Sequence, residues 1–363
     1  MSKSVILFVT TVYEDIKNGP ARYARYLNDH LYSNNDFEFK LIYNTSSSKN
    51  PFNIYYDVCT ELQREIDKYN KLNYRVIVHY NIPQIAIKKP VGAHRIIVQI
   101  NDYEQSQLYY DIRNKLRVYG VKKYFSYFIR RFIEKKTINI SDVVVCNSIY
   151  TKESICSNYN TDPDKCTTVY KSVSLEMFNE NNRRVDIEPL KIVAVGGDWK
   201  RKGFDLLLES CKSINKYHPI ELNIYGVTDI SFKRIVDQYG FAKSLGVIDP
   251  EQLSHVLPQH NLYILPSRHE ALGVSILEGM ASGLFAMGSN VGGIPEIIED
   301  GVSGILFNPD DKLSIINAID KYLSLSVVDK EKYLLEAKTK VELFSTDKMI
   351  STIKGIYCDL LRQ

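Results

Sequence analysis

The stretch that decides the fold runs from Leu262 to Asn308 and reads LYILPSRHEALGVSILEGMASGLFAMGSNVGGIPEIIEDGVSGILFN. Two apolar runs of strand length, 262–265 and 284–287, each lead into a loop and then into a helical pattern. The second helical pattern carries Pro295 near its first position, where proline is favoured. Repeats of strand, loop and helix in this order predict a doubly wound α/β sheet.

Two carboxylates stand out in this stretch. Glu270 follows the first strand, at the end of the sheet where α/β proteins bind ligands. Glu278 comes four residues after Val274 and so lies over the first helical turn on the same face. The free N–H groups of Gly273, Val274 and Ser275 would favour a phosphate at the helix N-terminus. This arrangement suits a ligand with hydroxyls on both sides of a phosphate, which is the shape of a nucleotide sugar.

The stretch resembles the E-x7-E signature of the family-4 retaining glycosyltransferases, also called glycosyl transferases group 1, which have the GT-B fold. Glu270 and Glu278 stand at the two glutamate positions, and agreement extends to Gly273, Gly283, Gly292, Gly293, Glu296, Gly301 and Gly304. The resemblance implies that Glu270 binds the donor hexose and that Glu278 binds the ribose. The alternative is that Glu278 is a solvated helix residue and Glu270 a loop charge.

Three consecutive cations, at 200–202, follow a predicted strand at 190–195 and precede a helical pattern. Cations beside a helix start suit a diphosphate. They resemble the family's phosphate clamp, in which Lys-Gly is the fixed element and is matched by Lys202-Gly203. The resemblance implies that Lys202, with Arg201 as its neighbour, stabilises charge on the departing diphosphate. The alternative is that this run is solvated surface.

The chain departs from the family's pattern at three places. Gly196-Gly197 stands where a Gly-Arg pair is usual, so the arginine must come from Arg201 or be missing. The glycine-rich loop after the first strand is reduced to Gly19, which the resemblance still implies for the donor. Asn101 stands where many relatives have a histidine near the reacting sugar, and an amide cannot take up a proton near pH 7. His79, at another strand end, could substitute.

Two further segments, 222–226 and 244–249, end in loops that hold the nucleobase in relatives through backbone groups. The residues that the resemblance implies for this role are Tyr225, Gly226, Gly246 and Val247. Because backbone groups would recognise the base, the sequence does not distinguish a UDP-linked from a GDP-linked donor.

Composition limits the class of protein. The 363 residues are 44% hydrophobic and 25% charged, which suffices for two ordinary domains with full cores. The net charge of +3 argues against a nucleic-acid binder. Apolar runs stay short of 18 residues, and neither the six cysteines nor the carboxylates show metal-ligand spacing. We therefore expect no metal or other cofactor, and a cytoplasmic protein that is free or peripheral on the inner face of the membrane.

The polar stretch 179–188 is the best candidate for a linker. It predicts two Rossmann-like domains facing across a cleft, in the GT-B arrangement that the resemblance implies. Residues 1–183 would bind the acceptor, and residues 184–345 would bind the nucleotide sugar. An amphipathic helix over 346–363 would cross back to the first domain.

The segment 121–136 reads VKKYFSYFIRRFIEKK and carries six cations and one anion. Its apolar residues fall on one helical face: Val121, Tyr124, Phe125, Phe128 and Phe132. A basic amphipathic helix can lie on an anionic membrane surface. The alternative is an ordinary helix packed on the sheet with charged flanks.

The predicted function is transfer of a hexosyl unit to a glycan or lipid-linked glycan acceptor in the synthesis of cell-surface polysaccharides or glycoconjugates. One alternative is a nucleotide-sugar epimerase of the same fold. Another is a catalytically inactive nucleotide-sugar-binding subunit, which Asn101 would favour. A third is a membrane-surface scaffold that acts through the helix at 121–136.

Overall fold

The computed structural model describes residues 3–11, 13, 19–44, 51–83, 89–101, 121–179 and 188–363. The chain divides into two compact units, Met1–Lys171 with Asp347–Gln363 and Ser172–Thr346. The first boundary therefore precedes the position expected at 183. The reason is that residues after Lys171 pair with the end of the second unit, where the Val173 N–H donates to the Phe344 carbonyl at 3.0 Å. Most of the polar stretch that suggested the linker lies outside the described residues.

The first unit is built on a parallel sheet, of which the described residues form six strands in the order β2-β1-β3-β4-β5-β6. The strands are β1 Ser4–Val9, β2 Glu38–Ile42, β3 Arg75–Tyr80, β4 Arg95–Ile100, β5 Val143–Cys146 and β6 Cys166–Thr168. The helices between them are α1 Gly19–Leu31, α2 Pro51–Lys71, α3 Val121–Ile140 and α4 Ile149–Tyr159.

The second unit repeats this plan, with its six strands in the order β12-β11-β10-β7-β8-β9, all parallel. The strands are β7 Leu190–Val195, β8 Ile220–Tyr225, β9 Ala242–Ser244, β10 Leu262–Leu265, β11 Phe285–Ser289 and β12 Ile305–Phe307. The helices are α5 Phe204–Ile214, α6 Ile230–Val236, α7 Pro250–Val256, α8 Val274–Ala281, α9 Ile294–Ile297, α10 Lys312–Ser324 and α11 Val327–Glu342.

The last helix, α12 Thr346–Arg362, belongs to the first unit. Four of its side chains enter that unit's core beside Phe8 and Phe39; they are Met349, Ile353, Tyr357 and Leu360. The central strands are apolar and buried along most of their length because helices cover both faces of a parallel sheet. The prediction of two doubly wound α/β units is confirmed.

Strand order in the second unit reverses between β7 and β10. The chain runs outward through β8 and β9 on one side, then returns to begin β10 on the other side of β7. In open α/β sheets the crevice at such a switch point is the usual place for a ligand. The loops that follow β7 and β10 therefore meet here, and they carry the predicted cations and Glu270.

Candidate active site

The cations and the first glutamate form one contact cluster. The Lys202 ammonium lies 2.5 Å from Glu270 Oε1, and a guanidinium N–H of Arg201 donates to the same oxygen at 3.1 Å. The Ser267 hydroxyl is a third donor, at 3.0 Å. Within the described chain all three hydrogen bonds to this carboxylate converge on Oε1. Oε2 is therefore left for a ligand.

The charges of this cluster are set by burial and by one another. Burial alone would raise the pKa of Glu270, but the nearby charges of Lys202 and Arg201 lower it to about 2. Glu270 is therefore ionised at any working pH, and its stabilising contribution is lost only as the pH falls from about 4.5 towards about 2. Burial lowers the pKa of Lys202, although Glu270 opposes this effect. Lys202 is therefore a desolvated cation with two further N–H groups to donate.

The cation run at 200–202 divides by environment, so the solvated-surface alternative is wrong for part of it. Lys202 is buried, Arg201 is half-buried, and Lys200 is exposed, with its ammonium over the Trp199 ring. The Lys202 N–H donates to the Asp198 carbonyl at 2.8 Å, which turns the chain into the start of α5. That turn directs Lys202 towards the loop after β10.

A second ion pair fixes the two loops to each other. The Arg268 guanidinium makes a bidentate pair with Asp205 in the first turn of α5, at 2.8 and 3.0 Å. The Arg268 N–H also donates to the Arg201 carbonyl at 2.8 Å. Gly203 has a φ of +68°, and an added Cβ would lie 2.0 Å from the Pro266 carbonyl oxygen. The loops thus approach as closely as bare backbone allows.

Gly196 makes room for the Lys202 side chain. A Cβ at Gly196 would lie 2.7 to 2.9 Å from three carbons of the Lys202 stem. The stem therefore lies on the bare backbone at the end of β7, and its ammonium is carried to Glu270. Gly196, which matches the glycine of the usual Gly-Arg pair, therefore has a structural role in placing the lysine.

Backbone groups line the carboxyl ends of β7, β8 and β9. The Gly196 N–H donates to the Tyr225 carbonyl at 2.9 Å, and the Gly226 N–H donates to the Gly246 carbonyl at 2.6 Å. Gly246 lies beyond the end of β9, in a loop with Val247, which is 48% exposed. The four residues expected at the nucleobase are thus neighbours at one edge of the sheet.

The helix that carries the second glutamate begins at Gly273, whose φ of +97° is a left-handed conformation. Glu278 is only 5% exposed, so its interpretation as a solvated helix residue is wrong. Gly279 lets α8 lie against Tyr263 of β10, because an added Cβ would be 2.4 Å from the ring. Burial is the main cause that raises the pKa of Tyr263, and the charges of Glu278 and Glu270 add to it.

The remaining predicted residues belong to the first unit. Asn101 follows the last residue of β4; its side-chain amide donates to the Asn81 carbonyl at 3.0 Å, and its backbone carbonyl accepts from the Asn147 side-chain amide at 2.6 Å. Gly19 is the first residue of α1, and most of the loop before it lies outside the described residues. His79 is fully buried against Tyr357, and burial lowers its pKa to about 3, so its suggested role as a substitute is wrong.

Three residues of the site were not predicted from the sequence. Ser267 could have been found, since Ser-x-x-Glu is a spacing at which a hydroxyl meets a carboxylate, although usually at a helix start. Arg268 and Tyr263 carried no such signal, because their partners lie far away in sequence or in another element. Over the described residues, no cluster of histidine, cysteine and carboxylate side chains has a metal-binding arrangement, and no helix is suited to crossing a membrane.

Comparison with known families agrees with this geometry. Residues 178–341 match the family described as Glycosyl transferases group 1. This part of the chain is similar to the group 1 glycosyl transferases. The match covers the switch point and both glutamates, so the family resemblance that the sequence indicated is confirmed.

Two curated proteins are similar to about half of this chain. An uncharacterized 41.2 kDa protein in the cps region of Klebsiella pneumoniae is 28% identical over 213 residues, 55% of this chain and 56% of that protein. The amylovoran biosynthesis glycosyltransferase AmsK of Erwinia amylovora is 29% identical over 191 residues, 49% of this chain and 47% of its own length. The chain thus spans about half the length of these relatives.

A solved structure extends the similarity in fold to nearly the whole chain. Anabaena HepE in complex with UDP-glucose has a TM-score of 0.72 at 12% identity, covering 98% of this chain and 99% of that one. Similarity at this identity shows the fold alone. The two-unit GT-B fold that the sequence predicted is confirmed.

Proposed function

We propose that the chain is a retaining, metal-independent hexosyltransferase that uses a UDP- or GDP-linked sugar. The observation that carries the proposal is the cluster of Lys202, Arg201 and Glu270 at the switch point of the second unit. It combines two diphosphate-binding cations with a carboxylate that retains a hydrogen-bonding oxygen. The complex of HepE with UDP-glucose supports a nucleotide sugar as the donor.

Different groups of the site would bind different parts of the donor. Glu270 Oε2 would accept hydrogen bonds from hexose hydroxyls and so hold the anomeric carbon in position. The N–H groups of Lys202 would face the adjacent diphosphate, together with Arg201 and the N-terminus of α8 at Gly273. Glu278, four residues along α8 from Val274, would accept from the ribose hydroxyls.

Transfer of the sugar requires that the negative charge on the departing diphosphate be stabilised. When the bond between the anomeric carbon and the diphosphate oxygen breaks, the electron pair leaves with the diphosphate. Buried Lys202 and half-buried Arg201 would stabilise that charge in a site of low dielectric constant, where such contacts are strongest. Two fixed cations would then do what a divalent metal does in other transferases.

The acceptor is proposed to be a glycan or lipid-linked glycan in cell-surface polysaccharide or glycoconjugate synthesis, in the cytoplasm. The two similar proteins support this: one lies in a cps region and the other serves amylovoran biosynthesis. Asn101, at the carboxyl end of β4, is proposed to contact the acceptor through its carboxamide.

The test compares Glu270→Gln with Glu278→Gln. We expect Glu270→Gln to lower kcat with UDP or GDP affinity nearly unchanged, because hexose positioning acts on the reaction. Glu278→Gln should mainly raise the donor KM, because a ribose contact contributes equally to ground and transition states. Calorimetry with each nucleotide, initial rates with EDTA present, and the anomeric configuration of the product by NMR provide the measurements.

Glu251→Gln, on an exposed position of α7, is the matched control and should behave as wild type. Free sugar released without an acceptor would indicate an epimerase instead. Nucleotide binding without any turnover would indicate an inactive binding subunit. Wild-type transfer by Glu270→Gln would remove that residue from the donor site.

A further inference from the structure

Helix α3 presents a stripe of large apolar side chains to solvent. Phe125, Phe128, Ile129 and Phe132 are 66%, 62%, 44% and 68% exposed. Their spacing of three and four residues places them on one face, since successive residues turn by about 100°. A face of three exposed phenylalanines and an isoleucine is a surface that water solvates poorly, and such contiguous patches usually mark an interaction site.

The opposite face of α3 is the one that packs on the first unit. Tyr127, Glu134 and Ile138 are buried, and the Tyr159 hydroxyl donates to Glu134. Thr137 is also buried and donates to the Pro83 carbonyl at 2.8 Å. The helix is therefore packed on the first unit by its other face, and the stripe is not needed for this packing. The helix does pack on the first unit, as the alternative held, but the face that packs is not the phenylalanine face.

Charge is distributed just as unevenly around this helix. Lys135 and Lys136 are exposed in the C-terminal half of the helix, and Arg131 is half-buried beside the stripe. The segment's one carboxylate, Glu134, points inward and is fully buried. In the described part of the segment, the outward surface is therefore apolar in the middle and cationic at its edge.

We propose that this outer face of α3 docks on a lipid bilayer that contains anionic headgroups. The phenylalanine side chains would enter the boundary between headgroups and acyl chains, and the lysines would contact the headgroups. The charge pattern favours this occupant over a second copy of the chain, because two copies meeting through this face would bring like charges together. The proposal concerns where the protein is held and does not depend on the proposed transferase activity.

The test is flotation of the full chain with vesicles of phosphatidylglycerol and phosphatidylcholine, compared with vesicles of phosphatidylcholine alone. Wild type should bind the anionic vesicles more strongly. A Phe125→Ser, Phe128→Ser, Phe132→Ser variant should lose at least about tenfold in partition coefficient, because the three rings that would enter the bilayer are removed. Lys135→Glu with Lys136→Glu should lower binding at about 0.1 M salt and have a smaller effect at about 1 M, where charges are screened.

The matched control is a Val327→Ser, Val328→Ser, Leu335→Ser variant of α11, since these side chains are also exposed and apolar but lie in the second unit. It should bind vesicles as wild type does. Circular dichroism and the Tm of each variant show whether the fold is kept.

Three results would overturn the proposal. They are a wild-type chain that does not float, a stripe variant that floats like wild type, or a wild-type dimer that the stripe variant converts to a monomer. In the positive case, Phe128→Trp should gain indole fluorescence that brominated lipid quenches.

Discussion

At the scale of single residues, one oxygen atom connects the parts of the site. Glu270 Oε1 accepts from Lys202, Arg201 and Ser267, so the cations proposed for the diphosphate and the carboxylate proposed for the sugar hold one another in place. Removing one member of a buried charge cluster usually leaves the other charge without compensation. Removing the Lys202 charge would therefore also leave Glu270 without its main partner, and a sharper probe moves the lysine without removing it.

Gly196→Ala is that probe. The new methyl would lie within 3 Å of the Lys202 stem, so the stem must shift, and we expect its ammonium to move away from Glu270. We expect UDP or GDP affinity to fall by roughly 1.5–3 kcal/mol, the range for a hydrogen bond to a charged group. Isothermal calorimetry measures this change.

Gly197→Ala is the control for that substitution. Its added methyl would be in ordinary contact, 3.6 Å from the Gly226 carbonyl oxygen, so affinity should stay near wild type. If both variants bound nucleotide equally well, Lys202 would not hold the diphosphate.

The sequence was informative about which residues form the site and less informative about their contacts. Glu270 and Glu278 could be identified because a strand, a loop and a helix start fix their spacing. The contact between Lys202 and Glu270 could not be derived, since it joins loops that are 68 residues apart and depends on strand order. The switch point became visible only once β10 was seen to pair with β7.

At the scale of elements, α8 lies close to β10 because Gly279 has no side chain. Gly279 faces the Tyr263 ring, and this close approach buries Glu278 on the helix. Enlarging Gly279 should therefore push the helix away from the strand, and the second glutamate would move with it.

We predict that Gly279→Ala lowers stability by about 1–3 kcal/mol, as overpacking in a tight core does, and also raises the donor KM. The same substitution at Gly355 on α12, where an added methyl would meet nothing within 4 Å, should stabilise by about 0.4–1 kcal/mol. Thermal unfolding of both variants checks the opposite signs. A stable Gly279→Ala would show that α8 has room to adjust.

Strands could be predicted from the sequence where apolar residues fill most of the strand. The runs 190–195 and 262–265 were placed at their observed bounds because buried parallel strands are continuously apolar. The three-residue strands β6 and β12 are too short to show such a pattern. For α3, periodicity revealed an apolar stripe but could not tell which face meets the sheet, because that depends on Glu134 pairing with Tyr159.

At the scale of the whole molecule, the first unit is made of two separate pieces of chain and the second of one. The four core side chains of α12, at roughly 1.5–3 kcal/mol each, contribute on the order of a domain's entire stability. The first unit should therefore not fold without its last helix. The unit that spans residues 172–346 has a core and a sheet of its own.

We predict that a 172–346 fragment folds cooperatively and that a 1–171 fragment does not. Joining 347–363 to the 1–171 fragment through a flexible linker should restore cooperative unfolding of that fragment, as measured by near-UV circular dichroism. A cooperatively folded 1–171 fragment would contradict the estimate for α12. The sequence suggested the return of the last helix through family resemblance, but it placed the boundary in a polar stretch instead of at Lys171 because pairing with 344–346 leaves no local signal.

This discontinuity has a consequence for synthesis on the ribosome. The first half of the chain is made first, yet its core stays incomplete until the last helix has been translated. Residues 172–362, which reach the end of α12, number 191, so at roughly 5–20 residues per second the nascent core stays incomplete for roughly 10–38 s. During that time the second unit can finish folding, so the order of folding reverses the order of translation. Until then, the face of the first sheet that α12 covers is exposed, and a chaperone could bind it.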